Sequence, residues 1–330
     1  MPSVIFGLNT CFAVKRWPEP EVWSRIAADL GVGHVQFSFD LLDPVLVDDE
    51  EVFAATRAIC ERNDVRISSA FTGLISYVQN SLGHPNERVR ERARRWYEAA
   101  IDATATLGAR GVGGHIGALS VQDFTDPAQR VQAVQRTVEI VQRLAERAAE
   151  KGLDFLLWEV MPVAREFPSR LDDTEELMAR LHGSTGVPVE LCIDMGHACA
   201  AATHGEDHDP YAWLQRLGHF TQVVHLQQTD GKVDCHWPFT DEFNRQGIVD
   251  PNRVVDLVAG FDRGSVELML EPMFPFEAPD DAVLAAVGES VRYWQPALHR
   301  LGDALAPGAH GDRADTPRRP APSGSLGEAT

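Results

Sequence analysis

Basic residues are in short supply in this chain. Lys and Arg number 30 against 49 Asp and Glu, a formal net charge of −19. A field of that sign repels polyanions and disfavours a general nucleic-acid binder or a protein that docks on acidic membranes. A small anionic substrate is not excluded, because a local Arg or a metal ion outweighs a distant net field. Cysteine is scarce as well. Cys11, Cys60, Cys192, Cys199 and Cys235 are odd in number, irregularly spaced and without a CxxC pair, so neither a zinc ribbon nor a disulfide framework is indicated. Reduced thiols in a cytoplasm fit that usage. Apolar runs fall far short of a membrane span, and the opening Met1-Pro-Ser-Val-Ile-Phe-Gly-Leu reads as a strand rather than a signal peptide. The expectation is a cytoplasmic protein with no nucleic-acid and no membrane partner; self-association into a homo-oligomer is left open.

What the chain does have is alternation. Short apolar runs at Val4–Asn9, His34–Phe39, Arg66–Thr72, Gly111–Gly117, Asp154–Val160, Val189–Asp194, Gln222–Gln228 and Ser265–Pro272 read as strands. Between them lie amphipathic stretches at Glu21–Leu30, Glu50–Arg62, Glu87–Leu107, Pro127–Lys151, Asp173–His182, Pro210–Leu217 and Pro251–Ala259, with an eighth at Asp280–Leu298. Gly108 and Gly152 stand where helix stops belong. Strand–helix alternation points to an α/β fold with a parallel sheet. At this length a single closed (β/α)8 TIM barrel over residues 1–304 is the natural count. A doubly wound open sheet is the runner-up, but no Gly-rich turn follows the first strand. From 305 to 330 the chain is Pro, Ala, Gly, Arg and Ser without periodicity, which predicts a disordered tail.

Polar residues close four of these strands. Glu159 ends Phe-Leu-Leu-Trp-Glu, Asp194 ends Val-Glu-Leu-Cys-Ile-Asp, His225 lies in Gln-Val-Val-His-Leu, and Glu271 ends Glu-Leu-Met-Leu-Glu. A charge where a buried strand runs out is costly unless a metal or a partner compensates it. In a barrel the C-terminal ends of neighbouring strands converge. Three carboxylates and an imidazole then suit one divalent ion such as Mn²⁺, Mg²⁺, Co²⁺ or Zn²⁺. Taken singly, each residue could equally be a satisfied polar group at a strand end. Other candidates lie on the same face. His115 sits among glycines in Gly113-Gly-His-Ile-Gly, where a loop can approach a ligand closely. Arg165 follows the fifth strand and could take a phosphate or pair with Glu166 or another nearby carboxylate. Lys232 is a second candidate anion contact. Trp158, Trp237 and Phe71 could wall the pocket, with core packing the default for Trp158.

Four pieces of sequence, Trp158-Glu159, Asp194-Met-Gly-His197, Val224-His225-Leu and Leu270-Glu271-Pro272, make the chain resemble the xylose isomerase-like barrel superfamily, which includes ketose 3-epimerases, inosose dehydratases and endonuclease IV. Leu82-Gly-His84-Pro85 and Asp234-Cys-His236 resemble endonuclease IV in particular. The resemblance implies a metal shared by Glu159, Asp194, His225 and Glu271, and a substrate contact at His197. It leaves two roles for His197, Asp234 and His236: ligands of a second metal, or contacts to sugar hydroxyls. A loop-internal Asp–His hydrogen bond is the plainer alternative. The endonuclease pattern also wants histidines on the third and fourth strands. His115 matches the fourth, but the third reads Ser69-Ala-Phe-Thr. That missing ligand and the acidic charge argue against a DNA phosphodiesterase.

Stereoinversion beside a ketone needs an electrophile for the carbonyl oxygen and acid–base groups on opposite faces of the carbon. Glu159 and Glu271, on non-adjacent strands, match those two roles. The expected function is a divalent-metal-dependent isomerase or epimerase of a short ketose or ketose phosphate, passing through an enediolate, with 3-epimerisation favoured. The alternatives are a metal-dependent dehydratase of a polyol ketone, with His236 or His197 protonating the leaving hydroxyl, and a sugar-sensing barrel without catalysis. The partner in each case is a small sugar or sugar phosphate.

Overall fold

The computed structural model describes residues 2–301 apart from 48, 80 and 200–203. The expected disordered tail, 305–330, lies outside the described residues. Eight parallel strands, β1 Ser3–Asn9, β2 His34–Ser38, β3 Arg66–Phe71, β4 Gly111–Gly114, β5 Phe155–Glu159, β6 Val189–Asp194, β7 Thr221–Leu226 and β8 Ser265–Leu270, close in sequence order into a barrel. The helices that return the chain are α1 Pro20–Asp29, α2 Glu50–Arg62, α3 Glu87–Leu107, α4 Pro127–Glu150, α5 Leu171–Leu181, α6 Pro210–Leu217, α7 Pro251–Val258 and α8 Asp280–Arg300. Elements and order match the sequence expectation. The short helices Pro44–Val47, Gly73–Gln79, Val121–Thr125 and Asp241–Asn244, all in loops after strands, were not anticipated. One or two turns carry too few apolar positions to show a period.

Repeated punctuation places the helices. Asp126, Asp209 and Asp250 each precede a Pro that opens α4, α6 or α7, and each carboxylate accepts a backbone N–H of the first turn. Such a cap is worth about 1 kcal/mol, and a Pro at the first position removes no hydrogen bond the helix would have made. α3 ends at Gly108 with φ +72°, the left-handed conformation that glycine adopts without penalty.

Alternation along the strands sorts side chains into layers inside the barrel. In β5, Phe155, Leu157 and Glu159 share a face; in β6, Cys192 and Asp194; in β7, Val223 and His225; in β8, Glu267, Met269 and Glu271. Phe155, Leu157, Cys192, Val223 and Met269, with Ile5 against them, form a separate buried cluster. That apolar layer is the floor on which the polar strand ends stand. It leaves no room on β1, where a Cβ at Gly7 would lie 2.6 Å from Met269 Sδ and 2.7 Å from the His34 carbonyl oxygen. The larger core, including Trp23, Trp213 and Trp294, draws on the other faces of the strands and on the helices. No described helix is long and apolar enough to cross a membrane.

Candidate active site

Glu159, Asp194, His225 and Glu271 are all buried, and one ligand atom from each lies within 4.8 Å of the others. Register explains the convergence: Asp194 stands directly across from His225, and the residue paired with Glu159 is Cys192, on the same face of β6. His225 Nδ1 lies 2.9 Å from Glu271 Oε2, 3.3 Å from Glu159 Oε1 and 4.0 Å from Asp194 Oδ2.

These atoms converge without satisfying one another. Glu159 Oε1, Asp194 Oδ2 and His225 Nδ1 have no hydrogen-bond partner although each is sealed from solvent. The second oxygens of Asp194 and Glu271 and the second nitrogen of His225 are engaged. Asp194 Oδ1 accepts the N–H groups of Gly196 (2.7 Å) and His197 (2.9 Å) and the Gln227 amide (2.7 Å). His225 Nε2 contacts Gln36 Oε1 at 2.6 Å, and Glu271 Oε1 accepts from Asn9 Nδ2 at 2.9 Å. Buried carboxylate oxygens left unpaired cost several kcal/mol unless a cation meets them. Orphaned lone pairs aimed at one point, in an oxygen-rich set with one imidazole, fit a divalent ion.

The two glutamates sit in different electrostatic surroundings. Burial pushes the Glu159 carboxyl up, against the opposing pull of His225 and His197. Burial acts on Glu271 in the same direction, but His225, His236 and His197 outweigh it and hold Glu271 below the usual carboxylate range. Both His197 and His225 are held well above the ordinary imidazole range; burial opposes this, and neighbouring acidic groups, Asp194 for His197 and Glu271 for His225 among them, override it.

A second cluster adjoins the first. His197 occupies a turn immediately after β6, and its Nδ1 lies 3.0 Å from the Val160 carbonyl oxygen. His236 Nδ1 lies 3.2 Å from the Glu271 carbonyl oxygen. A ring nitrogen facing a carbonyl donates, so both Nε2 atoms are left facing Asp234, each at 3.3 Å. Burial would lower the His236 pKa, but Asp234 and Asp194 raise it to about 9. Asp234 is itself held far below the usual carboxylate range: burial raises it, and His197 and His236 overwhelm that. Asp234 thus bridges the two rings as a pair of ion pairs. The group that could hold a cation here is formed instead by Asp194, His197 and His236. Gln227 joins the clusters, its amide nitrogen donating to Asp194 and to Asp234 (2.8 Å) and its carbonyl accepting the His236 N–H.

His115 lies beyond the end of β4, buried, with neither ring nitrogen hydrogen-bonded. Burial lowers its pKa to about 4, assisted by His197. The Tyr77 ring meets it edge-on at 4.8 Å, and the Tyr77 hydroxyl donates to Glu166 Oε1 at 3.1 Å. Arg165 is half-buried and donates through Nη1 to the Leu119 carbonyl at 3.1 Å. Lys232 is exposed on the β7–α7 loop, its backbone N–H donating to Asp230. Phe71 covers His225 edge-on at 4.8 Å, Trp237 stacks on Phe243 at 4.9 Å, and Trp158 is core, donating to the Phe167 carbonyl.

Asn9, Gln36, Gln227 and Tyr77 escaped the sequence analysis. Gln227 carried a usable signal, since it follows His225 by two residues and so shares its face of the strand. Asn9 ends its strand as Glu159 ends another. Gln36 and Tyr77 carried none: an uncharged residue within a strand and an aromatic in a loop are too common to mark a site.

The family model described as xylose isomerase-like TIM barrel matches residues 24–286. A crystal structure from Rhodospirillum rubrum ATCC 11170, provisionally described as a xylose isomerase, is similar at a TM-score of 0.82 and 33% identity, covering 89% of this chain and 99% of that one. D-erythrulose 1-phosphate 3-epimerase of Brucella abortus (strain 2308) is 29% identical over 300 residues, 89% of this chain and 96% of the relative. D-psicose 3-epimerase of Clostridium cellulolyticum H10, solved with D-tagatose, shares the fold at a TM-score of 0.63 and 14% identity, covering 91% of this chain and 99% of that one. With a closed eightfold barrel, polar strand ends gathered at its mouth and a family match across most of its length, this chain belongs to the xylose isomerase-like TIM barrel family.

Proposed function

We propose that the protein is a divalent-metal-dependent 3-epimerase of a short ketose phosphate. The carrying observation is the placement of Glu159 and Glu271 on either side of the β6 and β7 ligands, each within 3.3 Å of His225 Nδ1 yet held by different neighbours. Glu159, Asp194, His225 and Glu271 would hold the ion, Mn²⁺ being a fitting choice for this ligand set. When bound, that ion supplies an electrophile for the carbonyl and adjacent hydroxyl oxygens of the sugar.

The protein's own groups do the rest. One glutamate removes the proton at C3 from one face, and the other returns a proton to the opposite face. The carbon's electron pair moves into the adjacent carbonyl to give an enediolate and comes back on reprotonation, so atoms and charge balance without an oxidant. His197, Asp234 and His236 form a wall of hydroxyl contacts, with His115 behind it. The apolar floor and Phe71 keep water from the carbanionic carbon. Arg165 and Lys232, on the loops after β5 and β7, are the cations proposed to meet the phosphate. The erythrulose-phosphate epimerase relative supports a substrate of this class. The dehydratase alternative finds no support among the relatives described. Five free cysteines support a cytoplasmic setting for such chemistry.

The test is incubation with tetrulose and pentulose phosphates in D₂O. Deuterium should enter C3 with interconversion of the two epimers and no loss of water. A deoxy or unsaturated product, or turnover that survives exhaustive chelation, would overturn the proposal.

A further inference from the structure

The buried amides of Asn9 and Gln36 have no place in the chemistry above, yet they are wired to it in one direction. The backbone N–H of Cys11 donates to Asn9 Oδ1 at 2.9 Å. A backbone N–H can only donate, so the orientation of the Asn9 amide is set, and its Nδ2 must donate to Gln36 Oε1 (2.8 Å) and to Glu271 Oε1 (2.9 Å). Gln36 therefore presents its carbonyl oxygen, while its own nitrogen donates to Ser69 Oγ at 3.2 Å and that hydroxyl donates to Glu267 Oε2 at 2.6 Å. The remaining neighbour of Gln36 Oε1 is His225 Nε2, at 2.6 Å. An oxygen already accepting from Asn9 can bind a ring nitrogen only by accepting again. His225 Nε2 must carry a hydrogen, and Nδ1 is the nitrogen left for an ion, facing Glu159, Asp194 and Glu271.

Every side chain in this wire is fully buried, so water offers no substitute donor or acceptor. The β-sheet is irregular where it matters. The register shifts between Val35 and Gln36, so that Val35 pairs with Ile67 but Gln36 with Ser69. The extra residue, Ser68, brings Ser69 level with Gln36, which is what lets the Gln36 amide nitrogen be spent there and its oxygen be spent on His225.

We infer that Asn9 and Gln36 are positioning residues that impose the Nε2–H tautomer on His225 and so set how tightly the strand-end ligands hold a divalent ion. Asn9 acts twice, since its second hydrogen orients Glu271. This inference rests on the metal-site reading given above. Removing an outer hydrogen bond to a metal-ligating histidine typically weakens metal binding about 10–100-fold.

The measurement is the Mn²⁺ dissociation constant of chelator-stripped full-length protein, read from the free-ion signal in electron paramagnetic resonance. Gln36→Leu should weaken binding about 10–100-fold, with the ion-free Tm close to wild type. Gln36→Glu, which still accepts from both Asn9 and His225, should stay within about threefold of wild type. Asn9→Asp, which can neither orient Gln36 nor donate to Glu271, should weaken binding at least as much as Gln36→Leu. A second readout needs no variant: in ¹⁵N-histidine spectra of the Zn²⁺-loaded wild type, His225 Nε2 should carry the proton. Protonated Nδ1 in that spectrum overturns the inference, as does Gln36→Leu binding Mn²⁺ as tightly as wild type. If Gln36→Leu does not fold, the spectrum and the Gln36→Glu and Asn9→Asp constants decide. Wild type that binds no divalent ion would instead overturn the metal-site reading itself.

Discussion

The two halves of the barrel contribute opposite kinds of residue to the same site. At or just past the C-terminal ends of β5 to β8 stand Glu159, Asp194, His225 and Glu271, charged or chargeable groups whose ligand atoms meet. Strands β1 to β3 contribute Asn9, Gln36 and Ser69, neutral groups that point into the same interior and fix the orientation of the charged ones. β5 to β8 supply the candidate ligands, and β1 to β3 supply the amides that orient Glu271 and His225. Charges from every strand would have left a buried acidic cluster with too few donors; amides from every strand would have left nothing to bind a cation. Glu271 keeps one oxygen free because Asn9 of β1 occupies the other; Asp194 does so within its own half, through the N–H groups of Gly196 and His197 and the Gln227 amide.

The largest effect should come from removing a base while leaving a ligand oxygen. Glu159→Gln and Glu271→Gln should each reduce kcat by about 10²–10⁴-fold while some metal binding persists. If the two serve opposite faces, Glu159→Gln should still exchange the C3 proton of one epimer and Glu271→Gln that of the other. Loss of exchange from both epimers in one variant, with the other fully active, would mean a single base shuttling the proton, an aldose–ketose isomerase rather than an epimerase.

A smaller effect is expected from ligands that carry no proton in the chemistry. Binding to the folded state alone stabilises by about 2.7 kcal/mol when the ion is at 100 times its dissociation constant. Asp194→Asn and His225→Ala should lose most of that gain, so the rise in Tm on adding Mn²⁺ should shrink or vanish. An undiminished rise in both variants would place the ion elsewhere.

An effect on stability alone, without loss of activity, lies below the site, where the halves are tied by Ser69 and Glu267. Burial raises the Glu267 carboxyl to about 7, partly offset by the Ser69 hydrogen bond. The folded state then holds a proton that the unfolded chain, titrating near the usual carboxylate value, has already released. Between about pH 4.5 and 7 the folded state binds more protons, so stability falls as pH rises, by a few kcal/mol at most, and the loss is complete above the folded pKa. Glu267→Gln should flatten that slope in urea midpoints measured from pH 4.5 to 8, and Ser69→Ala should extend the decline to higher pH. Identical slopes in wild type and Glu267→Gln would remove Glu267 as the source.

Period and punctuation sufficed for the fold because each barrel strand is buried and each helix is amphipathic and capped. The Asp-Pro openings of α4, α6 and α7 are local signals that need no tertiary knowledge. The short loop helices stayed illegible because one or two turns leave no periodic trace. Polar residues at the ends of apolar strands were equally legible as candidate ligands, since a charge beside a buried run needs a reason. Sequence could not say that Asp234 would bridge His197 and His236, or that Arg165 would spend a hydrogen bond on the Leu119 carbonyl. Those outcomes depend on how loops from different strands settle at the mouth.

The barrel and the gathering of four polar strand ends were legible in the chain, because hydrophobic alternation and the cost of burying charge are properties of a strand and its own residues. The tertiary structure alone decided the neutral half. Asn9, Gln36 and Ser69 gain meaning only when closure of β1 onto β8 brings Asn9 against Glu271, and when a one-residue register shift sets Gln36 level with Ser69. A neutral amide has no preferred direction in an extended chain; it acquires one when a donor with no alternative, the Cys11 backbone N–H, holds one end of it.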